Sequence, residues 1–413
     1  TGDGYIDRAL QNDWLVCNDS IVSPASSNAL EDLQLRISLE PIRDLKIDLT
    51  ANRTRNRSRE MQYMFAGMPD TRSGNFSMSI ISIGSSFERH SAGDGYRSGT
   101  FERFRRNLDV IRDRVETQFI GAQYPQGSTF AGKTFDPANG TISKHSPDVM
   151  IPAFLAAYTG RNARNSVLDF FPSLFSMMPN WRITYTGLTK IAWFKKNFRS
   201  VNLNHAYRST YSVGSYNTFQ SFMSYMGDIG FVEDVQSGNP IPSSRFDISM
   251  VSINEQFSPL IGMDATLKNG LTAKVEYKTS RILNLSMSAC QLVETASRDF
   301  VIGLGYKIVN FNLFSGRNVK DSKNRVSHDL ALRADISFRN QSALCRDIQQ
   351  GFAQATNGNK ALKISCSADY TLSRLLTLRL YYDRQQNTPL ISSSSYPVVS
   401  ADFGFSMKFS LTR

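Results

Sequence analysis

The sequence predicts an all-β fold, namely a transmembrane antiparallel β-barrel segment of about fourteen strands with a mostly helical insertion. Apolar and polar residues alternate with period two along much of the chain, which is typical of strands with one apolar face. Several alternating runs exceed the roughly five or six residues that are usual for soluble strands. No run of apolar residues is long enough for a transmembrane helix.

The alternation is clearest where Leu332 and Ile336 lie between Arg333 and Asp335. The strong runs are residues 33–39, 45–51, 271–277, 330–338, 362–370, 376–382 and 403–411, and weaker runs are residues 75–87, 181–193, 198–213, 246–254, 258–267, 281–289 and 299–309. A soluble antiparallel sandwich has the same alternation. Run lengths close to the roughly 9–11 residues of a transmembrane strand favour the membrane interpretation.

Two tryptophans lie at the ends of one weaker run. Trp181 and Trp193 fall in phase, and a continuous strand between them spans about 30 Å at about 40° of tilt. We therefore predict that both side chains belong to the aromatic girdles of an outer-membrane barrel.

Turn residues separate many of the runs. Residues 41–44 and the Lys268-Asn269-Gly270 triplet each lie between two runs, and Asn-Gly is a strong hairpin signal. Residues 317–327 and 339–360 are predicted to be long loops. Short turns on one side and long loops on the other are typical of outer-membrane barrels.

The predicted organisation has three parts: barrel strands with an N-terminal loop (1–87), a helical and loop insertion (88–180), and barrel strands to the C-terminus (181–413). Helical spacing of Phe101, Phe104 and Leu108 predicts an amphipathic helix over residues 100–116, with an arginine-rich face that is solvated or contacts lipid phosphates or acidic cargo. Residues 149–158 and 167–178 are predicted to form one or two short buried helices.

The composition limits the classes of function. The 413 residues carry 47 Lys and Arg and 36 Asp and Glu, and a net charge of +11 favours polyanionic contacts. The basic and aromatic residues 193–199 are interpreted as lying near lipid head groups, because no nucleic-acid-binding signature accompanies them. No catalytic, metal-binding or nucleotide-binding motif is found, so we expect no enzyme activity, no metal and no cofactor. Four cysteines leave three disulfide pairings open.

Residues 257–281 resemble the C-terminal part of the SprA/Sov family, the outer-membrane translocons of the type 9 secretion system. The resemblance lies in the opening with Phe257, Pro259 and Gly262 and in the hairpin with Asn269 and Gly270. Residues 148–160, 179–191, 202–216, 281–294 and 299–307 are also similar to this family.

The resemblance implies that the chain is part of a very large barrel in the outer membrane of a Gram-negative bacterium. It implies a lumen that passes folded cargo proteins carrying C-terminal signal domains. The implied partners are the remainder of the large barrel polypeptide, a PorV-like small barrel protein, a plug protein, periplasmic and motor-linked components, and outer-membrane lipid; nucleic acid is not among them.

The polar positions of the runs are candidates for the lining of a water-filled lumen. They are Arg182, Lys190, Lys274, Glu276, Arg333, Asp335, Arg339, Lys363, Asp369, Arg379 and Lys408. Three alternatives remain open: a gated outer-membrane porin or receptor, a soluble β-rich surface adhesin whose apolar faces meet in a core, and a hydrolytic outer-membrane enzyme, which would need a Ser/His/acid constellation.

Overall fold

A computed structural model describes residues 2–14, 24–61, 70–88, 90–311, 329–372, 376–391 and 396–409. In these ranges the dominant feature is one antiparallel sheet of thirteen strands, accompanied by a small sheet of three strands. The predicted all-β fold class, with long antiparallel strands and a mostly helical insertion, is confirmed.

The elements follow one another in a simple order. They are α1 (Gly2–Gln11), β1 (Ala25–Ile42), β2 (Leu45–Met61), β3 (Asp70–Ser79), α2 (Gly99–Thr117), α3 (Pro147–Tyr158), β4 (Asn180–Tyr185), α4 (Ala192–Asn197), β5 (Phe198–Thr218), β6 (Met223–Met226), β7 (Ile229–Glu233), β8 (Pro240–Ser244), β9 (Phe246–Asp247), β10 (Met250–Leu267), β11 (Leu271–Ser286), β12 (Gln291–Ile308), β13 (Leu330–Asp347), β14 (Ala353–Thr371), β15 (Leu376–Pro389) and β16 (Val398–Phe409).

The large sheet runs in the order β1-β2-β3-β5-β10-β11-β12-β13-β14-β15-β16. Strand β4 occupies the same position as β3, since both pair with β2 and β5, and β3 pairs with the half of β2 after Asn52 whereas β4 pairs with the half before it. One strand position is therefore interrupted in its middle, between Ser79 and Asn180, and the intervening residues form the insertion.

Most strand predictions are confirmed, and several predicted runs are parts of longer strands. Residues 246–254 and 258–267 contribute to β9 and to β10, which continues through a bulge between Phe257 and Ile261. Residues 271–277 and 281–289 both fall largely in β11. The predicted turns at residues 41–44 and 268–270 are confirmed, and Gly270 adopts the left-handed backbone (φ 89°) that such a turn requires.

Three local predictions are wrong. The N-terminal loop contains helix α1, and residues 339–360 are not a long loop, because β13 and β14 extend until only residues 348–352 separate them. Residues 167–178 form no α-helix but an irregular segment with one 3-10 turn at Leu174–Ser176, because Pro172 interrupts the helical spacing. The predicted loop 317–327 lies outside the described residues.

The insertion packs on the sheet through an apolar core. The predicted helix of residues 100–116 is confirmed as α2, and its apolar positions are all buried: Phe101, Phe104, Leu108, Ile111 and Val115. The predicted helix of residues 149–158 is confirmed as α3. Both helices share one buried cluster with β3, β5, β10 and β11.

A glycine in β3 marks a close approach between strands. A Cβ atom at Gly74 would lie 2.0 Å from the carbonyl oxygen of Asn56 and 2.7 Å from the hydroxyl of Tyr216. We expect Gly74→Ala to lower the free energy of unfolding by about 1–3 kcal/mol, since the neighbouring backbone must move. Denaturant unfolding of the refolded protein measures this. The control is Gly214→Ala, where a Cβ meets nothing within 4 Å; equal losses in both variants would contradict the packing argument.

Candidate functional site

The large sheet carries a continuous row of exposed apolar side chains on one face. Cross-strand pairing joins Tyr306 to Leu332, Phe300 to Phe338 and Leu380 to Phe405. We call this surface the apolar band; its members are Leu33, Leu35, Ile37, Leu39, Ile261, Phe300, Leu304, Tyr306, Leu332, Ile336, Phe338, Leu380, Tyr382, Val399, Phe403, Phe405, Met407 and Phe409. An exposed apolar surface of this extent indicates an interaction with lipid or protein.

The height of the apolar band suits a bilayer. On β16 the apolar positions run from Val399 to Phe409, which is about 33 Å along the strand and about 25 Å in height at a tilt of about 40°. The apolar belt of outer-membrane barrels is about 25 Å tall. Strand β13 has 18 residues, so the strands extend well beyond the band.

The opposite face of the sheet, which we call the polar face, carries ten of the eleven predicted lumen residues. The register places Asp335 beside Gly303, which pairs with Lys274, and places Asp369 beside Arg379. The ten are Arg182, Lys274, Glu276, Arg333, Asp335, Arg339, Lys363, Asp369, Arg379 and Lys408. The register shows that these ten side chains share one face of the sheet. That this face lines a lumen stays a prediction.

Charges on the polar face pair with opposite charges on neighbouring positions. Arg339 contacts Asp299 at 2.9 Å, and Arg379 contacts Asp369 at 3.6 Å. Glu276 lies 3.2 Å from Lys274 and is also paired with Lys278. Because these pairs neutralise one another, the face has mixed charge rather than one dominant sign.

The prediction of one strand from Trp181 to Trp193 is wrong. Strand β4 ends at Tyr185, which pairs with Leu45, the first residue of β2, and beyond this point the hairpin of β1 and β2 offers no further partner. Lys190, predicted to face the lumen, lies instead in a 3-10 turn and forms an ion pair with Asp44.

The two tryptophans nevertheless lie at different levels of the apolar band. Trp181 stacks on Tyr207 with ring centroids 4.4 Å apart, at the edge next to the insertion. Trp193 is 61% exposed and packs on Phe198, whose strand position pairs with Leu267 at the level of the turn of residues 268–270. Their role in membrane girdles stays a prediction.

The insertion lies on the same face of the sheet as the apolar band. On β5, Tyr211 and Val213 are buried in the core of the insertion. Leu203 and Val201 lie further along the same strand toward the band and, at even spacing from Tyr211, point to the same face of the sheet. The insertion therefore does not cover the polar face along β5. This face relation follows from register and could not be obtained from the sequence.

Two buried ion pairs connect the insertion to this face. Arg281 donates to Glu255 at 2.8 Å and to the carbonyl oxygen of Ser85 at 2.6 Å. Glu255 also accepts from Ser82 (2.7 Å) and Tyr207 (2.8 Å). Because each lone pair and donor needs a partner in a buried site, this network fixes the residues after β3 against β5, β10 and β11.

The second ion pair joins the next two strands of the sheet, β12 and β13. Arg346 donates to Glu294 at 3.0 Å and to the carbonyl oxygen of Tyr96 at 2.6 Å, and its guanidinium lies over the ring of Phe101 at 5.6 Å. His90 contacts the other oxygen of Glu294 at 3.4 Å. Strands β12 and β13 are thereby attached to the beginning of α2.

A carboxylate organises the first turn of α2. Glu88 accepts hydrogen bonds from the Ser98 hydroxyl at 2.6 Å and the Thr100 amide at 3.0 Å, and Ser98 caps the amide of Phe101. Burial alone raises the pKa of Glu88, but hydrogen bonds from Ser98 and Thr100 and the nearby His90 outweigh it, so the pKa is lowered.

A lowered pKa means that Glu88 stabilises the fold above the unfolded value of about 4.3, and that this contribution disappears as the pH falls through the folded pKa. We expect Glu88→Gln to accelerate hydrogen exchange at the Thr100 and Phe101 amides near pH 7, equivalent to about 1 kcal/mol. Exchange measured by mass spectrometry at several pH values tests this. A difference between variant and wild type that grows toward low pH would contradict it.

The residues that carry the family resemblance lie along β10 and its turn. Phe257 is buried under Phe87 and Tyr207, with ring centroids 5.4 and 4.8 Å away. Pro259 lies in the bulge, and a Cβ at Gly262 would lie 2.7 Å from its ring. The amide oxygen of Asn269 accepts from the Leu271 amide at 3.1 Å, which closes the turn with Gly270.

No family model matches the sequence, and no curated protein matches it. Among solved structures, the chain is similar to the trimer form of OmpT, an outer membrane protein of Vibrio cholerae that was folded in vitro. The sequence identity is 10%, the match covers 94% of this chain and 99% of that chain, and the TM-score is 0.24. A second structure of in-vitro folded OmpT has 8% identity, covers 93% of this chain and 95% of that chain, and has a TM-score of 0.22. At these scores the similarity carries no argument about function.

The prediction that the chain is not an enzyme is corrected. It depended on missing motifs, and the solved structures that resemble the chain, the OmpT outer membrane proteins, give it no support. The prediction of no enzyme activity is therefore withdrawn.

Among the described residues, no helix is long and apolar enough to cross a membrane.

Proposed function

We propose that the large sheet is part of the wall of an outer-membrane channel that conducts proteins, with its apolar band in the bilayer and its polar face toward a water-filled lumen. The observation that carries this proposal is the two-sided pattern of the sheet. Phe403 is 73% exposed and Met407 67% exposed on one face, while Arg379 and Asp369 pair on the other. A soluble sandwich buries its apolar face instead.

The two edges of the sheet support a larger assembly. In the described part of the chain, β1 and β16 each pair on one side only. Strand β1 has 18 residues with band side chains such as Leu35 and Ile37 about half exposed. Because a long apolar strand at the edge of a sheet promotes uncontrolled association, we infer that further strands of the same barrel pair with both edges.

From the resemblance of residues 257–281 to the SprA/Sov family, we also propose that this channel is the translocon of a type 9 secretion system. Under it the partners are the remainder of the barrel polypeptide, a PorV-like small barrel protein, a plug protein, periplasmic and motor-linked components, cargo with C-terminal signal domains, and outer-membrane lipid. The mixed charge of the polar face in the described part of the chain is compatible with passage of folded cargo, because neighbouring opposite charges neutralise one another.

Purification of the native protein from detergent-solubilised membranes, followed by mass spectrometry of everything that accompanies it, tests this function. We expect to recover further barrel sequence together with a small barrel protein. Recovery of a single species that is soluble without detergent would overturn the proposal and favour the surface adhesin.

A further inference from the structure

The insertion leaves the sheet at its middle, at the edge of the apolar band. The Met178 amide donates to the carbonyl oxygen of Ser79 at 3.1 Å, and the side-chain amide of Asn180 donates to the Ser79 hydroxyl at 3.2 Å. Trp181, the residue after Asn180, stacks on Tyr207 at the edge of the band. The segment before Met178 is therefore held next to the band.

This segment, residues 167–178, which we call the junction loop, has a buried half and an exposed half. Phe170 and Phe171 are buried, the Tyr211 hydroxyl donates to the carbonyl oxygen of Phe170 at 3.1 Å, and the Phe171 ring meets the Phe76 ring at 5.6 Å. These contacts attach one end of the loop to the core, while the Ser79 bond attaches the other.

The exposed half presents large apolar side chains on a fixed turn. Phe175 is 97% exposed, and Leu174 beside it is 49% exposed. The Ser176 and Met177 amides bond to the carbonyl oxygens of Ser173 and Leu174, which closes the turn that carries Phe175. Because contiguous exposed apolar surface marks interaction sites, the adjacent Leu174 and Phe175 make this turn a candidate binding surface.

The position of the loop identifies the partner. Trp181 follows Phe175 by six positions, so their Cα atoms lie within about 20 Å, and the insertion shares a face with the band. Phe87, which is 56% exposed, lies over Phe257 at the same edge. Arg161 and Arg164 are exposed shortly before the loop, where phosphate head groups can pair with them.

We propose that the junction loop is a membrane anchor that inserts Leu174 and Phe175 into the interfacial layer of the bilayer surrounding the wall. This inference rests on the proposed wall function, because only then does the band lie in lipid. The insertion is then a structure on the lipid-facing side of the barrel that rests on the membrane surface, rather than a plug in the lumen. Interfacial apolar groups penetrate about 5–10 Å into the head-group boundary.

Site-directed fluorescence in nanodiscs tests the anchor. The protein is isolated from its membrane with its four cysteines replaced by serine, and an environment-sensitive nitrobenzoxadiazole label is attached at Phe175→Cys, at Phe405→Cys in the band, or at Ile120→Cys. Ile120 is 75% exposed after α2, next to Phe119, which packs on Phe231 of β7. Circular dichroism confirms that each variant is folded.

We expect head-group-labelled nitroxide phosphatidylcholine to quench the label at residue 175 about twofold or more, and the label at residue 120 hardly at all. Quenching at residue 405 by acyl-chain-labelled nitroxide lipid, with none at residue 175 by head-group-labelled lipid, would overturn the anchor and leave the wall intact. No lipid quenching at either position would overturn the proposed wall itself. A photo-crosslinker at position 175 in native membranes that captures a protein instead of lipid would also overturn the anchor.

Discussion

Replacing Arg346 with methionine is expected to lower the free energy of unfolding by about 3–5 kcal/mol, because it leaves Glu294 charged and buried beside a single weak partner. The side chain of Arg346 is 1% exposed and that of Glu294 is 5% exposed. The substitution also leaves the carbonyl oxygen of Tyr96 without its donor. Hydrogen exchange at α2 and denaturant unfolding of the refolded protein both report this loss.

The matched control for this prediction is Arg339→Met. Arg339 also pairs with a carboxylate on a neighbouring strand, Asp299 at 2.9 Å, but its side chain is 61% exposed. Exposed pairs contribute about 0–1 kcal/mol, so the loss should be small. Adding Glu294→Gln to Arg346→Met should restore part of the stability. Equal losses in the two single variants would show that the buried pair does not hold the insertion.

An arginine in the apolar band is expected to impair membrane assembly. Ile336 is 46% exposed and lies between Ile302 and Ile364 on the neighbouring strands. If this face of the sheet were exposed to water, Ile336→Arg would change the free energy of unfolding by less than about 0.5 kcal/mol. On the lipid face of a barrel the same change costs about 2–4 kcal/mol near the bilayer midplane.

Folding into lipid vesicles at a series of urea concentrations measures this cost. The control is Ser365→Arg, which places the same side chain on the polar face between Asp335 and Asp383. We expect the control to fold as the wild type does, because opposite charges on neighbouring strands stabilise the pairing. Similar losses for the two variants, or none for either, would contradict the assignment of the two faces.

Alternation made much of the sheet predictable. The alternating runs at residues 330–338 and 376–382 form strands, as predicted. Each of these strands pairs with the strands that precede and follow it in the sequence, so the pairing partners are local. The turn at Asn269 and Gly270 was predictable because few residues adopt its left-handed backbone. Helix α2 was predictable from the spacing of its buried side chains.

The error at residues 181–193 shows where alternation fails. The residues alternate, but a strand exists only where neighbouring backbones accept its hydrogen bonds, and β2 begins at Leu45. A Cβ at Gly187 would also lie 2.7 Å from the Tyr185 hydroxyl, so the chain folds back on itself at this point. The end of β4 is therefore decided by where β2 begins, and the sequence of residues 181–193 does not contain that position.

The buried ion pairs carried a signal that the sequence reasoning did not use. Glu255 follows Val251 and Ile253 in the apolar phase, and Arg281 precedes Leu283 in the same phase of the next strand. A charge in the apolar phase of a strand indicates a buried pair or a functional site. The partners in the insertion, such as Ser82 and Ser85, are separated from these charges by more than 170 residues and could not be identified without the fold.

The most direct test of the wall is a labelling scan of residues 332–339 on β13, with one cysteine at a time in the cysteine-free protein in nanodiscs. We expect labels at Leu332, Ile336 and Phe338 to respond to nitroxide lipids, and labels at Asp335 and Arg339 to respond to a water-soluble quencher. A scan in which both sets respond to the water-soluble quencher alone would contradict a membrane-spanning sheet.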